Sequence, residues 1–237
     1  MTGGTLTQSE LLSLWERGDG QSPSRRALAL LEGATPDADA EELTAMPVGR
    51  RDASLLALRE RLFGSAFTGV TSCPACGEEI ELSFDADEVG GQAPSPVDPL
   101  ERIRVGEYEV EVRLPSTADL FAIERMSSIE EARARLFERC VVSPVGELPP
   151  EVVDAVIERM AALDPQADMQ LDADCPSCAH RWREPFDIVT FLFTELSVFA
   201  RRLLADVHEL ARGYGWSERE IRDLSPARRN AYLEMLR

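Results

Sequence analysis

The sequence contains no lysine and only two histidines, and these absences exclude several kinds of catalysis. All 25 basic residues among its 237 are arginines. Without lysine there can be neither a Schiff-base lysine nor the phosphate-binding lysine of a P-loop. His180 and His208 are therefore the only imidazoles available for general acid–base chemistry near neutral pH.

Acidic residues outnumber basic ones by 43 to 25, which gives a formal net charge of −18. Nucleic acids are bound by Lys and Arg that neutralise phosphates, so binding to nucleic acid is not expected. The longest apolar candidate, residues 188–200, contains Glu195 and is too short to span a membrane. The N-terminal residues lack the pattern of a secretory signal. We therefore expect a protein of the reducing bacterial cytoplasm that makes no membrane contact.

Helical patterns dominate both ends of the chain. Capping motifs at Thr7 and Ser22 each predict the start of a helix, and a third helix is predicted from about residue 50 to 63. Residues 33–48 show no periodicity and are predicted to form a loop. Near the C-terminus, a heptad seam predicts a long helix that is either the core of the fold or an interface with a partner. The seam consists of Phe186, Val189, Phe193, Leu196, Ala200, Leu203, Val207 and Leu210.

The middle of the chain alternates between strand-like and helical patterns. Apolar residues at every second position predict strands at 80–84 and 103–114, the latter folded into a hairpin around Gly106. A Gly/Pro-rich linker is predicted at 85–99. Three helices are predicted between residues 117 and 163.

Two short motifs carry the chemistry of the chain. Cys73-Pro-Ala-Cys76 and Cys175-Pro-Ser-Cys178 each lie between two strand-like segments, as in the hairpins of zinc knuckles. Two thiolates from each turn can complete a tetrahedron around zinc. We therefore predict that Cys73, Cys76, Cys175 and Cys178 bind a structural zinc ion. Four thiolates leave no open coordination position, so the zinc would not be catalytic.

Other interpretations of these cysteines are two separate redox dithiols or simple buried thiols. A thioredoxin-like dithiol lies between a strand and a helix, and neither motif does. His180 could replace one ligand, although a fourth cysteine is already present. Cys140 lies within a predicted helix and is interpreted as a small core residue. Ala179 stands where the first motif has Gly77, at a position that often requires a positive φ.

Together these patterns predict an α+β fold that is mostly α-helical. Its small antiparallel β part contains a zinc-ribbon-like pair of knuckle hairpins with four cysteines. We divide the chain into an N-terminal helical region (1–66), a middle region (67–185) and a C-terminal region (186–237). The middle region holds the knuckle hairpins with an inserted β-hairpin and three helices. The C-terminal region holds the long helix and two short ones, and all three are expected to form one integrated domain.

Charge is distributed unevenly along the chain. The segment 62–101 contains eight acidic residues and no basic one, and is interpreted as a solvated linker or as a docking surface for a basic partner. From Arg201 onward, eight arginines face six acidic residues, so this tail is slightly positive. We found no nucleotide-binding, hydrolase or metalloprotease motif, and predict that the protein is not an enzyme.

Several segments of the chain resemble the T-even-type phage baseplate protein family, whose members are often called baseplate hub assembly chaperones. The resemblance is carried by the paired CPxC motifs, the Gly49-Arg50-Arg51-Asp52 segment and the YGWSE sequence at 214–218. It implies a non-enzymatic role in building or completing the baseplate of a contractile phage tail or injection system. It also implies that the partners are hub or spike proteins and that the protein can be incorporated into the particle. The oligomeric state is left open.

A second hypothesis is a zinc-ribbon protein that binds nucleic acid or acts in transcription. It predicts basic residues on the ribbon, but the first knuckle carries Glu78, Glu79 and Glu81, and only the second offers Arg181 and Arg183. An enzyme would have to rely on carboxylates alone, and their spacing suggests no such reaction.

Overall fold

A computed structural model describes residues 6–35, 37–89, 100–144 and 146–237. Its helices are α1 (Gln8–Gly18), α2 (Pro23–Ala34), α3 (Ala40–Ala45), α4 (Val48–Phe63), α5 (Thr117–Ile123), α6 (Ile129–Cys140), α7 (Pro150–Leu163), α8 (Ile188–Tyr214), α9 (Glu218–Arg222) and α10 (Pro226–Met235). Its strands are β1 (Ala66–Ser72), β2 (Glu79–Asp85), β3 (Glu101–Val105), β4 (Tyr108–Val112), β5 (Val141–Ser143), β6 (Gln170–Asp174) and β7 (Arg181–Pro185). The mostly helical α+β class is confirmed.

The strands form three small antiparallel sheets. One is the hairpin β1–β2, a second is β3–β4–β5, and the third is the hairpin β6–β7. The predicted turn at Gly106 joins β3 to β4, with a positive φ of 59° at this glycine. Each sheet exposes one face. The apolar residues at alternate positions of the sequence lie on the other face, which packs inward.

The long helix α8 is the centre of the fold. Its seam residues Leu196, Ala200, Leu203 and Leu210 are almost completely buried, and the helix packs against α1, α2, α4, α9 and α10. The chain itself therefore covers the heptad seam, which confirms the core interpretation. Among the described residues no helix, α8 included, combines the length and apolar character needed to cross a membrane.

The two largest hydrophobic clusters of the described residues are built from different parts of the chain. The larger cluster joins α1, α2, α4 and the hairpins β1–β2 and β6–β7 to the first half of α8. A separate cluster lies wholly within residues 103–163, where Val110, Val112 and Val156 are fully buried. The inserted segment thus has a core of its own, and the positions of the domain boundaries stay a prediction.

The prediction of a loop at residues 33–48 was wrong in part. Helix α2 continues through Gly33, where Leu14 packs so closely that an added Cβ would lie 2.7 Å from its Cδ1. Within the predicted loop, Asp39 accepts a hydrogen bond from the backbone N–H of Glu42 and so caps the short helix α3. One turn of helix carries too few apolar positions for a periodic signal.

Of the predicted linker 85–99, residues 90–99 lie outside the described residues.

Arg59 fastens the first hairpin to α8. Its guanidinium donates two hydrogen bonds to the carboxylate of Glu195, at 2.8 and 2.7 Å, and two more to backbone oxygens at the start of β1. It also lies 3.9 Å from the ring centre of Phe67, which packs against Phe191 of α8. These contacts satisfy a buried arginine and fix the hairpin on the helix.

The Gly49-Arg50-Arg51-Asp52 segment joins α4 to the inserted segment. The backbone N–H of Gly49 donates to the carboxylate of Asp164 at 2.9 Å, and a Cβ at Gly49 would lie 1.9 Å from that carboxylate. Buried Arg51 donates to Asp52 at 2.7 Å and contacts Thr117 at the start of α5. This segment is therefore a buried polar junction whose glycine permits close approach.

Candidate metal centre

Two hairpins of matching geometry present the CPxC turns. In the first hairpin the last strand pair is Ser72 with Glu79, and in the second it is Asp174 with Arg181. Both hairpins therefore close through a turn of six residues. The N–H of the first cysteine donates across each turn, Cys73 to the oxygen of Glu78 at 2.8 Å and Cys175 to that of His180 at 2.9 Å. The two motifs thus form the same local structure.

Both turns require a left-handed residue after the second cysteine. Gly77 has a φ of 78° and Ala179 a φ of 57°, the one positive φ outside glycine in the described residues. The N–H groups of these residues donate to the carbonyl oxygens of Cys73 and Cys175 at 2.8 and 2.9 Å. A left-handed conformation at alanine costs about 1–2 kcal/mol. The turn geometry is therefore imposed on the second knuckle by its surroundings.

The four predicted cysteines come together between the hairpins. Their Sγ atoms all lie within 4.8 Å of one another. Two contacts cross from one hairpin to the other, with 3.7 Å between the Sγ atoms of Cys73 and Cys178 and 3.6 Å between those of Cys76 and Cys175. In a tetrahedral site with zinc–sulfur bonds of about 2.3 Å, the sulfurs are about 3.8 Å apart. The thiols present thus fit a tetrahedral metal site.

Burial divides the cysteines in the same way in both hairpins. The first cysteine of each motif, Cys73 or Cys175, is buried with 2% or 3% of its surface exposed. The second, Cys76 or Cys178, is exposed. A metal held here would lie at the surface, with two ligands facing the protein and two facing solvent.

The thiols lie close enough to shift one another's pKa. Burial opposes ionisation of Cys73, but the backbone N–H groups of Ala75 and Cys76 stabilise its thiolate and lower its pKa to about 7. Although the backbone N–H of Glu78 favours the thiolate of Cys76, hydrogen bonds with the sulfurs of the second hairpin raise its pKa to about 12. Four sulfurs at these distances share protons unless a metal ion compensates their charge.

Other candidate side chains lie outside the sulfur cluster. His180 contributes its carbonyl oxygen to the turn, and its ring stacks on Trp182 with 5.9 Å between centroids. Cys140 is fully buried in the core of the inserted segment, as predicted, and burial raises its pKa to about 11. His208 is exposed on α8. Neither histidine belongs to the metal-ligating cluster found among the described residues.

The arginines of the second knuckle are paired within their own hairpin. Arg181 lies 2.7 Å from Asp174, and Arg183 lies 3.6 Å from Asp172. The exposed face of the ribbon therefore offers no free cation for a phosphate backbone, because the first hairpin carries only acidic charges there. This arrangement disfavours the nucleic-acid hypothesis.

Sequence reasoning missed a cluster of charged residues around a buried aspartate in the inserted segment. Asp119 is fully buried and accepts hydrogen bonds from Arg113, Arg139 and Ser116. Burial of Asp119 opposes its ionisation, but these donors outweigh that effect and lower its pKa well below the usual range. No periodic signal marks such residues, because their partners are brought close by packing; Arg139 lies 20 positions along the chain.

The fold and the cysteine cluster define a mostly helical α+β protein with a zinc-ribbon-like centre of four cysteines. A family model described as T4 bacteriophage base plate protein matches residues 24–193. Since this match spans more than half of the chain, the protein belongs to the T4 bacteriophage base plate protein family, which confirms the resemblance recognised in the sequence. Comparison with curated proteins and with solved structures gave no match.

Proposed function

We propose that the protein is a non-enzymatic assembly factor or component of a baseplate, in a phage tail or a contractile injection system. The observation that carries this proposal is the family match over residues 24–193, which contains both cysteine motifs and the Gly49 to Asp52 junction. We expect its partners to be hub or spike proteins of the same baseplate. Assembly would begin in the bacterial cytoplasm.

Zinc would have a structural role in this function. Bound by Cys73, Cys76, Cys175 and Cys178, it would join two hairpins that are otherwise separate sheets. A tetrahedral thiolate site supplies folding free energy rather than a reactive metal position. The expected benefit is a rigid ribbon at one end of α8, on which a partner can dock without ordering a loose segment.

The pairing of ionisable groups supports a role without catalysis. Asp119 is neutralised by Arg113 and Arg139, and Glu195 by Arg59. General acids and bases need a pKa near the working pH and access to a substrate. The carboxylate of Asp119 meets neither condition, because its pKa is lowered and it is fully buried.

Affinity purification from cells that produce the particle tests the proposed partners. The tagged protein is recovered at successive stages of assembly and the bound proteins are identified by mass spectrometry. Recovery of hub or spike subunits supports the proposal, and their absence at every stage contradicts it. A Cys73→Ser/Cys76→Ser variant, recovered in parallel, reports whether the ribbon is needed for this contact.

Purified particles then distinguish an assembly factor from a baseplate component. A component would be present in finished particles at a fixed ratio to the hub. An assembly factor would be found only in intermediates. Quantitative mass spectrometry of both fractions gives the answer.

A further inference from the structure

The outward face of the second half of α8 carries a row of exposed arginines. Opposite the buried seam, one stripe of the helix contains Val198, Arg201, Arg202, Ala205 and Arg212, which we call the basic stripe; all five residues are exposed. In the part of the chain that the structure describes, none of these three arginines forms an ion pair. In a chain of net charge −18, this row is a local surface of positive charge.

An apolar side chain accompanies the arginines of the basic stripe. Val198 is 60% exposed. Charged residues around a small apolar centre are typical of protein interfaces, in which arginine is also enriched. The only carboxylate on this face is that of Glu209, so the stripe as a whole is positive.

The first knuckle hairpin presents the opposite pattern. On its outward face β2 carries Glu79, Glu81 and Asp85, which we call the acidic ladder, and Val70 of β1 lies opposite Glu81 with 70% of its surface exposed. In the described residues no cation pairs with these three carboxylates. They therefore repel one another in the isolated chain.

The other two hairpins neutralise their exposed carboxylates across the strands. In β6–β7, Arg181 pairs with Asp174, and in β3–β4, Arg102 pairs with Glu111 at 2.8 Å. Among the hairpins that the structure describes, the acidic ladder thus lies on the one without cross-strand arginines. A surface with exposed arginines would complement it.

The two surfaces also match in length. From Glu79 to Asp85 a strand rises about 20 Å, at about 3.3 Å per residue. From Val198 to Arg212 a helix rises about 21 Å, at 1.5 Å per residue. Each surface has one exposed valine beside its charges.

Within one molecule the two surfaces cannot meet. The inward face of β1–β2 is held on the first half of α8, where Phe67 packs against Phe191 with 5.5 Å between centroids. The acidic ladder therefore points away from α8, whereas the basic stripe occupies the solvent side of its second half. We infer that the basic stripe of one copy binds the acidic ladder of a second copy.

This contact is head-to-tail. After one contact, the first copy still has a free ladder and the second a free stripe, so association continues into a ring or a short filament. The net charge of each copy opposes association, but salt at physiological strength screens it beyond about 8 Å. The inference goes beyond the proposed baseplate function and does not depend on it.

Sedimentation velocity of the purified protein tests the inference over a range of protein concentrations. At physiological salt we expect the weight-average mass to rise with concentration above that of a single chain, and in high salt, which also screens the contact itself, to return to it. Arg201→Glu/Arg202→Glu and Glu79→Arg/Glu81→Arg should each weaken association at least about tenfold, because like charges would face each other. Mixing these two variants should restore it, since each then supplies the charge that the other lacks.

Arg133→Glu/Arg135→Glu on α6 is the matched control, since both arginines are largely exposed and the change in net charge is the same as in the first variant. This variant should associate like the unmodified protein. The inference is overturned if the unmodified protein stays a monomer at every concentration at physiological salt. It is also overturned if the mixture of the two variants stays monomeric, or if the control loses association to the same extent. Circular dichroism of each variant verifies that it is folded.

Discussion

The Sγ atoms of Cys73 and Cys178 lie 3.7 Å apart although 105 positions separate these residues in the chain. Cys73 lies in the turn of the first hairpin and Cys178 in the turn of the second. The contact therefore joins two hairpins that share no strand pairing. Between them the chain folds an inserted segment with its own hydrophobic cluster. A metal ion at this position would hold together parts of the chain that form separately.

Replacing one predicted ligand should remove the metal. We expect purified protein to contain about one zinc ion per chain, and Cys73→Ser to lose most of it, because a hydroxyl is a poor zinc ligand at neutral pH. Elemental mass spectrometry measures the metal content. Cys140→Ser is the control, since Cys140 lies in another core; full zinc in Cys73→Ser would exclude the shared site.

Removal of the metal should loosen the hairpins and leave the inserted segment intact. After chelation, we expect faster hydrogen exchange at the backbone amides of Cys73 and Cys175, which donate across the two turns. The amides of Val110 and Val112 should stay protected, because these residues belong to the separate core. Hydrogen exchange with mass spectrometry compares the two regions. Equal loss of protection in both would show that the inserted segment depends on the metal.

Glycine at position 179 should stabilise the second knuckle. Ala179→Gly removes a left-handed strain of about 1–2 kcal/mol but increases the entropy of the unfolded chain, which costs about 0.4–1 kcal/mol. The net gain in the free energy of unfolding is then roughly 0.5–1 kcal/mol. Gly77→Ala in the first knuckle should have the opposite effect. Urea unfolding at constant zinc concentration measures both, and destabilisation by Ala179→Gly would contradict the strain argument.

The buried Asp52 should make stability depend on pH. Burial raises its pKa from 3.8 to about 6 in spite of Arg51, with smaller contributions from Asp187 and Asp164. Between about pH 4 and 6 the folded protein therefore holds a proton that the unfolded chain has released, and the free energy of unfolding falls as pH rises. Asp52→Asn removes this dependence.

The measurement is the difference in unfolding free energy between Asp52→Asn and the unmodified protein. We expect it to shift in favour of the variant by up to about 3 kcal/mol from pH 4 to pH 7. Effects of pH on the metal centre cancel in this difference. Asp154→Asn, at an exposed aspartate, is the control for the aspartate-to-asparagine change as such. A difference for Asp52→Asn that does not vary with pH would mean that the pKa of Asp52 is not raised.

Local and periodic patterns were sufficient to predict much of this protein from its sequence. The seam of α8 repeats over more than twenty residues, and alternation marks both strands of the hairpin at Gly106. The CPxC spacing predicted which cysteines lie together, because the turn chemistry is local and the tetrahedral number of ligands requires two such turns. The short helix α3 was missed, since its stability comes from a cap and from packing rather than from a repeat.

Only the tertiary structure decided which residues from distant parts of the chain meet. The pairing of Arg59 with Glu195, and of Gly49 with Asp164, depends on how the helices pack, and no spacing in the sequence encodes it. The sequence by itself determined which four cysteines come together and which helix forms the core. The packing of the chain decided which charges are buried, which are paired and which stay exposed, because a charge acts on whatever lies within a few ångströms of it in space.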